Sequence, residues 1–488
     1  MNPIEKVRSM SSKGAKLGVT EGLSAWLEAL GDKALRIDEP MAVEYEATAL
    51  QHVLDTQGRY PPIWVRSPRL PGGEISPFGL VTNLTASREQ VCSALGLDDH
   101  RRAASWWAER QERRIEPVTV AAADAPVRDT VLEGDEVDLR LLPATVQHRG
   151  NPGPYLTAAH ATTCDPETGI DNSAIQRCWL KEARRMSWFP YPNSHNARNM
   201  RAWHERGEPC PVAFWIGHHP AVSVAAQVKL GYPESHWPAA GGLIGEPVRL
   251  TPSLNFDGRL LVPADAEIVI EGLAHPGATG PDGPFAEYTG FLGPAVDAPV
   301  CEVLSITHRK GAVLHDCGSG LADNLTPDNI AMEGKLFSLA RAVSPRLINV
   351  HAPAQGRRFL ALLQFDGAIA GEVRDALATV LAWRRVKTAV ALDSDIDLFD
   401  PQQVNWALAT RFQWDRDLIR VDDLSTSLLD PSLEPGRKTA SKAGLDATLP
   451  RYPSTPPVAH PDPEAVEKAA SLLRELGATG AADCWPRN

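Results

Sequence analysis

Apolar residues at Leu23, Trp26, Leu27 and Leu30 recur at i, i+3, i+4 and i+7, and Gly31 follows them. This spacing predicts a short amphipathic helix closed by a glycine just past its end. Ala47, Leu50, Val53 and Leu54, followed by Gly58, repeat the pattern. Strand-like runs occur at Ile63–Val65 and Phe78–Leu84. Ser87 then opens a helix with Gln90 in capping-box spacing, and a further helix around Trp106 and Trp107 ends before Pro117. Residues 1–20 are polar and expected to be loosely held. Helices and strands alternate, so residues 1–117 read as a small α/β domain.

From 118 to 310 the pattern changes to short apolar runs broken by Gly, Pro and Asp. Tyr155–Thr163, Ser173–Leu180, Val212–Ile216, Arg259–Val262, Glu267–Glu271 and Val300–His308 are the candidate strands, and they predict an antiparallel barrel or sandwich. Pro220 is placed to start a helix, with small residues through Ala221–Gln227. After a connector at 311–325, Thr326 and Pro327 form an N-cap and N1 pair for a long helix through Leu336, Leu339 and Val343. Strands at Ile348–His351 and Phe359–Phe365, a helix at Val373–Trp383 and a strand at Thr388–Leu392 predict a separate C-terminal α/β domain over 326–450. A further helical turn or two is expected at Val404–Thr410. Residues 451–488 read as Pro-rich linker and a last helix from Glu464 to Leu476.

One hairpin stands out. Asp165-Pro166-Glu167-Thr168-Gly169 is a turn signal between Tyr155–Thr163 and the run that carries Asn172 and Arg177. These two are five apart, an odd offset that on an unbroken strand sends their side chains to opposite faces.

Composition narrows the partners. The chain has 488 residues, 43% hydrophobic and 23% charged, with a formal charge of −12 and no long basic run, which argues against nucleic acid. Seven scattered cysteines without a C-x-x-C pair read as reduced thiols, and no apolar run approaches the ~20 residues of a membrane span. A cytoplasmic protein is expected.

Candidate chemistry lies in three places. Gly280-Pro281-Asp282-Gly283-Pro284-Phe285-Ala286-Glu287 holds two carboxylates across a Gly-Pro turn, and carboxylates near apolar groups can serve as acids. Asn172, His195 and Glu234-Ser235-His236 offer N and O ligands for a divalent ion. Lys442 lies in Ser441-Lys442-Ala443-Gly444-Leu445-Asp446. Taken singly, each has a plainer reading: Asp282 as a turn cap, His195 as a loop histidine, Arg177 as an ion-pair partner, Lys442 as a surface lysine. Dinucleotide, P-loop and G-x-S-x-G fingerprints are absent.

Taken together, these stretches resemble the UbiD family of reversible decarboxylases, which includes the ferulic acid decarboxylases and uses prenylated FMN. The resemblance rests on the D-P-E-T-G turn with Asn172 and Arg177, Pro211–Ala221 with Ile216-Gly217-His218-His219-Pro220, and Gly245-Glu246-Pro247. It continues through Leu261-Val262-Pro263-Ala264, Glu267–Gly272, Gly280–Gly290 and Lys442–Thr448, all in the family's order. It implies an N-terminal α/β domain, a split β-barrel flavin-binding domain over 118–310 and a C-terminal α/β oligomerisation domain. By the same resemblance Asn172, His195 and His236 match the ligands of a divalent metal, usually Mn2+, with K+ nearby. His236 stands where a glutamate is usual, and Glu234 is the alternative. Ala174, Ile175, Gln176, Arg177, Gln227 and Lys442 match cofactor-binding positions, Lys442 at the phosphate. Arg177, Asp282 and Glu287 match the catalytic network, with Asp282 one methylene shorter than the usual glutamate.

The activity so implied is non-oxidative decarboxylation of an α,β-unsaturated or (hetero)aromatic carboxylic acid. Arg177 would hold the carboxylate and Glu287 would donate the proton. A flavin prenyltransferase would supply the cofactor, and a homodimer or larger homo-oligomer is expected. The other readings are an FMN-binding split-barrel oxidoreductase and a catalytically impaired flavin or metal-binding homologue, the last motivated by His236 and Asp282.

Overall fold

The Asp165 turn forms as its sequence dictates. Asp165 Oδ1 accepts from the Glu167 and Thr168 amides at 2.9 and 3.0 Å, and Gly169 takes the left-handed backbone (φ 71°) that closes the loop. The arms pair antiparallel, His160–Cys164 against Asp171–Ile175, with Asn172 opposite Thr163. The computed structural model in which this is seen describes residues 18–367, 369, 371–449 and 456–476. Most of the polar N-terminal stretch, residues 450–455 of the Pro-rich linker and Cys484 lie outside the described residues.

Farther along, both arms of the hairpin break. His160 faces Ile175, and Leu156 faces Cys178, so three residues (157–159) on one arm oppose two (176–177) on the other. This is a β-bulge, which bends a hairpin and re-aims the side chains beside it. Gln176 N still donates to Ala159 O at 2.9 Å across the bend. The expected single strand Ser173–Leu180 is therefore two strands, Asp171–Ile175 and Cys178–Glu182, and the parity argument that linked Asn172 to Arg177 does not apply across the break.

The bend organises a nine-stranded sheet. Its hydrogen-bonded order runs Asp171–Ile175, His160–Cys164, Cys210–Ile216, Ile268–Asp282, Val296–His308, Arg185–Trp188, Cys178–Glu182 and Tyr155–Leu156, and Thr130–Glu133 joins Val296–His308 from the side. The two short links, 157–159 and 176–177, tie one end of this order to the other. Three residues of extended chain reach only about 10 Å, so the sheet must roll until its ends approach. No closed ring of strand pairing is seen among the described residues. Every residue of Cys210–Ile216 is buried. At Gly272 a Cβ would lie 2.5 Å from both Cys301 Sγ and Glu302 O, so only glycine lets the two longest strands meet there.

The chain divides into two compact units. The first comprises residues 18–84, 115–283 and 295–318 among those described, and holds this sheet. It also holds a four-stranded sheet of Leu35–Ile37, Ile63–Val65, Gly79–Thr82 and Val313–His315, the last coming from the expected connector. The expected helices Leu23–Leu30 and Glu46–Thr56 are present, and Leu23, Trp26 and Leu27 pack with Trp64, Val81, Leu84 and Val313.

The second unit comprises residues 85–114, 284–294 and the described part of 319–488. Its five-stranded sheet is ordered Leu347–His351, Leu360–Phe365, Thr388–Asp393, Thr439–Asp446 and Leu418–Ser425, with the middle three parallel. The last two strands carry Arg420, Asp422, Asp423, Ser425 and Ser441 at exposed positions and give no apolar run to detect. The helices Arg88–Ala94 and Ala103–Gln111 belong to this unit, and Ser87 caps the first by accepting from Gln90 N at 3.2 Å.

The long helix runs Ala322–Val343, so Thr326 and Pro327 are not its cap. Pro327 sits inside and has no N–H for Asp323 O. Thr85 Oγ1 donates to that carbonyl at 3.0 Å instead, while Asp323 Oδ1 accepts from Thr85 N at 2.7 Å. A side chain elsewhere in the unit thus replaces the lost helical bond, a substitution the local pattern does not announce. No helix among the described residues is long and apolar enough to cross a membrane.

Candidate active site

The bulge delivers Arg177 to a buried carboxylate. Arg177 Nε and Nη2 lie 2.8 and 2.7 Å from Asp282 Oδ2, and Ser187 Oγ donates to Asp282 Oδ1 at 2.7 Å. Asp282 is fully buried, and an unpaired carboxylate there would be costly, so the three contacts are what permit the charge. The Arg177 guanidinium stands 4.4 Å from the Phe189 ring centroid, a cation–π contact that fixes its plane. Tyr155 OH accepts from Gly283 N at 2.9 Å, and burial followed by the charge of Asp282 pushes its phenol pKa up, keeping it protonated. A neutral phenol, an ionised pair and an aromatic face thus surround one guanidinium.

A second cluster joins the predicted metal and cofactor positions. Asn172 Nδ2 donates to Asn196 Oδ1 at 2.8 Å, and Thr163 Oγ1 donates to the same oxygen at 2.8 Å. Asn196 Nδ2 donates to Ala161 O at 2.9 Å and to Gln176 Oε1 at 3.2 Å, and Trp188 Nε1 also donates to Gln176 Oε1. Asn196 is fully buried near the start of the helix His195–Glu205, whose N-cap Ser194 accepts from Ala197 N. His195 opens that helix half-buried, edge-on to Tyr232 with ring centroids 5.8 Å apart. Burial, then the charge of Arg198, lowers its pKa and favours the neutral ring a metal needs.

His236 is buried and opens the helix His236–Ile244, capped by Ser235, whereas Glu234 is exposed. Both helices contact the Asp171–Ile175 strand. Three candidate ligands therefore come from one strand and two helix starts around it. Among the described residues no three His, Cys, Asp or Glu side chains come together as a metal site. A cation here would rely on two imidazoles and the Asn172 amide oxygen, a neutral donor set that suits a borderline divalent ion. The missing negative charge fits a phosphate, which two adjacent helix N-termini also favour. Ala174 and Ile175 are half-buried on the same strand, and Gln227 donates from Nε2 to Ser223 O at 3.2 Å, back onto the helix Pro220–Ala225 that precedes it.

Glu287 and Lys442 belong to the second unit. Glu287 is half-buried after the short strand Phe285–Ala286, and its backbone closes a turn through Phe291 O and the Gly290 amide. A Cβ on Gly293 would come 3.1 Å from Glu287 Cγ, so the glycine leaves room for this side chain. Lys442 is buried, not superficial, and Nζ donates to Leu381 O and Trp383 O at 2.9 Å and to Arg384 O at 3.4 Å. Leu381 ends the helix Glu372–Leu381 and the other two carbonyls follow its C-cap, at the end of the helix where a cation is favoured. All three ammonium donors are committed, so a phosphate contact would require releasing one.

Asn196, Ser187, Thr163 and Tyr155 did not emerge from the sequence. Asn196 follows His195 directly, and buried Asn beside a proposed ligand is the one local signal; Ser187 and Tyr155 reach the site only through sheet pairing. The arrangement can bind a carboxylate at Arg177 and a phosphate with its cation near Asn172, the two joined by the bent strand.

That combination suits a phosphate and a carboxylate, and comparison with known proteins places the chain in a family. Residues 25–106, 118–321 and 329–447 match the N-terminal, Rift-related and C-terminal domains of the 3-octaprenyl-4-hydroxybenzoate carboxy-lyase (UbiD) family. The UbiD-class enzyme HmfF from Pelotomaculum thermopropionicum, solved with FMN, superposes with a TM-score of 0.82 at 30% identity, covering 92% of this chain and 98% of that one. An evolved dimeric form of HmfF with prenylated FMN gives 0.82 at 28%, covering 92% and 99%. Klebsiella pneumoniae 3,4-dihydroxybenzoic acid decarboxylase shares the fold at 0.78 and 23%, covering 91% and 98%. The chain belongs to the UbiD family and is a carboxy-lyase.

Proposed function

We propose that this carboxy-lyase removes carbon dioxide reversibly from an α,β-unsaturated or (hetero)aromatic carboxylic acid with prenylated FMN. The observation that carries the reading is Arg177, held by the buried Asp282 and set over Phe189. When bound, prenylated FMN supplies the electron sink that loss of carbon dioxide from an sp² carbon requires. The chain's own residues do the rest. Arg177 holds the substrate carboxylate, Asp282 keeps the guanidinium in place, and Glu287 delivers a proton to the carbon that loses the carboxyl group.

Asn172, His195 and His236 would hold Mn2+ or a similar ion against the flavin phosphate, with K+ nearby. Ala174, Ile175, Gln176 and Gln227 would line the flavin. The rolled sheet would serve as the split-barrel flavin domain, in a cytoplasmic homodimer or larger assembly with the domain boundaries drawn above. HmfF with FMN and with prenylated FMN supports the cofactor assignment by family likeness.

The test is protein co-expressed with a flavin prenyltransferase and incubated with cinnamic, aromatic, heteroaromatic and polyunsaturated acids. Carbon dioxide release or deuterium exchange only in the prenylated sample is the expected result. Hydride-dependent reduction of ordinary FMN would favour an oxidoreductase. Bound cofactor without turnover would mean that His236 and Asp282 mark an impaired homologue.

A further inference from the structure

The side-chain amides of Asn172, Asn196 and Gln176 and the Thr163 hydroxyl form a chain whose donors and acceptors can be ordered in only one way. Ala161 O can only accept, so the Asn196 end 2.9 Å away must be its NH2 group. Asn196 Oδ1 then points to Asn172 and Thr163. Asn199 Nδ2 donates to Thr163 Oγ1 at 3.0 Å, so the threonine's single proton goes to Asn196 Oδ1. Asn172 must likewise turn its NH2 toward Asn196, which leaves Asn172 Oδ1 as its outward group. Among the described residues this oxygen accepts no hydrogen bond.

The same logic runs the other way. Trp188 Nε1 can only donate, and with Asn196 Nδ2 it occupies Gln176 Oε1. Gln176 is thereby turned with its NH2 outward, and among the described residues that group donates to nothing.

We propose that Asn196 is a positioning residue that sets the polarity of both neighbours, presenting Asn172 Oδ1 to a divalent cation and Gln176 Nε2 to an acceptor on the flavin. The inference deepens the proposed function and rests on it. A buried partner that fixes the orientation of a metal ligand typically governs affinity by about 10- to 100-fold. An Asn172 amide that was free to flip would offer its NH2 to the cation half the time and lose the contact.

The test is Mn2+ titration followed by electron paramagnetic resonance, and FMN titration followed by fluorescence, on the purified full chain. Wild-type protein is measured first. Failure to bind either probe would overturn the functional reading together with this inference. Asn196→Ala removes both anchors, so Mn2+ and FMN affinities are each expected to fall by about 10- to 100-fold. Asn196→Asp keeps an oxygen toward Asn172 but puts an oxygen where the NH2 faced Gln176. Mn2+ affinity should then stay within about threefold of wild type or tighten while FMN affinity falls. A merely structural role would lower thermal stability without splitting the two affinities. The inference is overturned if folded Asn196→Ala leaves both affinities within threefold of wild type. Should that variant not fold, it is overturned if Asn196→Asp leaves FMN binding unchanged.

Discussion

Arg177 and Asp282 meet 105 positions apart in the chain through two guanidinium nitrogens on one carboxylate oxygen, at 2.8 and 2.7 Å. The other oxygen belongs to Ser187. The shorter side chain at 282 is thus fully engaged within its own pocket. Asp282→Asn keeps the shape and removes the charge that holds the guanidinium. Its turnover is expected to fall by about 100-fold, the scale of a misplaced substrate-binding group, with the flavin spectrum unchanged. Asp282→Ala leaves Arg177 buried without its counter-ion and should cost about 3 kcal/mol in denaturant unfolding.

Glu287 is the proposed proton donor. Glu287→Gln keeps the volume that Gly293 accommodates and removes the acid, so decarboxylation should drop by about 100-fold or more while bound flavin and folding stay as in wild type. Near-wild-type turnover would take Glu287 out of the acid role.

Lys442 discriminates a structural task from a binding one. Lys442→Met deletes three hydrogen bonds to the end of the helix Glu372–Leu381 and should lower stability by about 2 kcal/mol, with FMN affinity within threefold of wild type. A large loss of FMN binding without a change in melting temperature would return the lysine to the phosphate.

Glu333 gives the second unit a pH signature. Burial opposes its ionisation, but the Arg88 guanidinium at 2.6 Å and the His351 ring at 2.9 Å outweigh it and hold its carboxyl at about 2. A folded value below the unfolded one means stability that is full above about pH 4.5 and lost as pH falls toward 2. Glu333→Gln should therefore destabilise by about 3 kcal/mol at pH 7, and the gap to wild type should narrow in unfolding experiments as pH falls below about 4.5 and close only toward pH 2.

Much of this was legible because local rules governed it. The Leu23–Leu30 helix, the Ser87 cap and the Asp165 turn are written in neighbouring residues, and the structure contains all three. Family motifs then pointed to Arg177, Asp282 and Glu287 as a set. What escaped notice was non-local. Pro327 sits within its helix because Thr85 takes the stranded carbonyl. The bulge at 157–159 falls on Thr157, Ala158 and Ala159, with no Gly or Pro there to announce it. Lys442 looked superficial because a lone lysine carries no sign of the three carbonyls waiting for it.

The two-residue link at 176–177 has a consequence for how the protein acquires its activity. The Arg177 seat needs Ser187 and Asp282, and Asp282 ends a strand that pairs on one side with Cys210–Ile216 and on the other with Val296–His308. Contacts of such long sequence separation close late, after the chain entropy of the intervening loops has been spent. Carboxylate recognition should therefore be among the last properties to arise during refolding. Gain of ligand binding would then report that the sheet has finished rolling, whereas secondary structure would report only that it has begun.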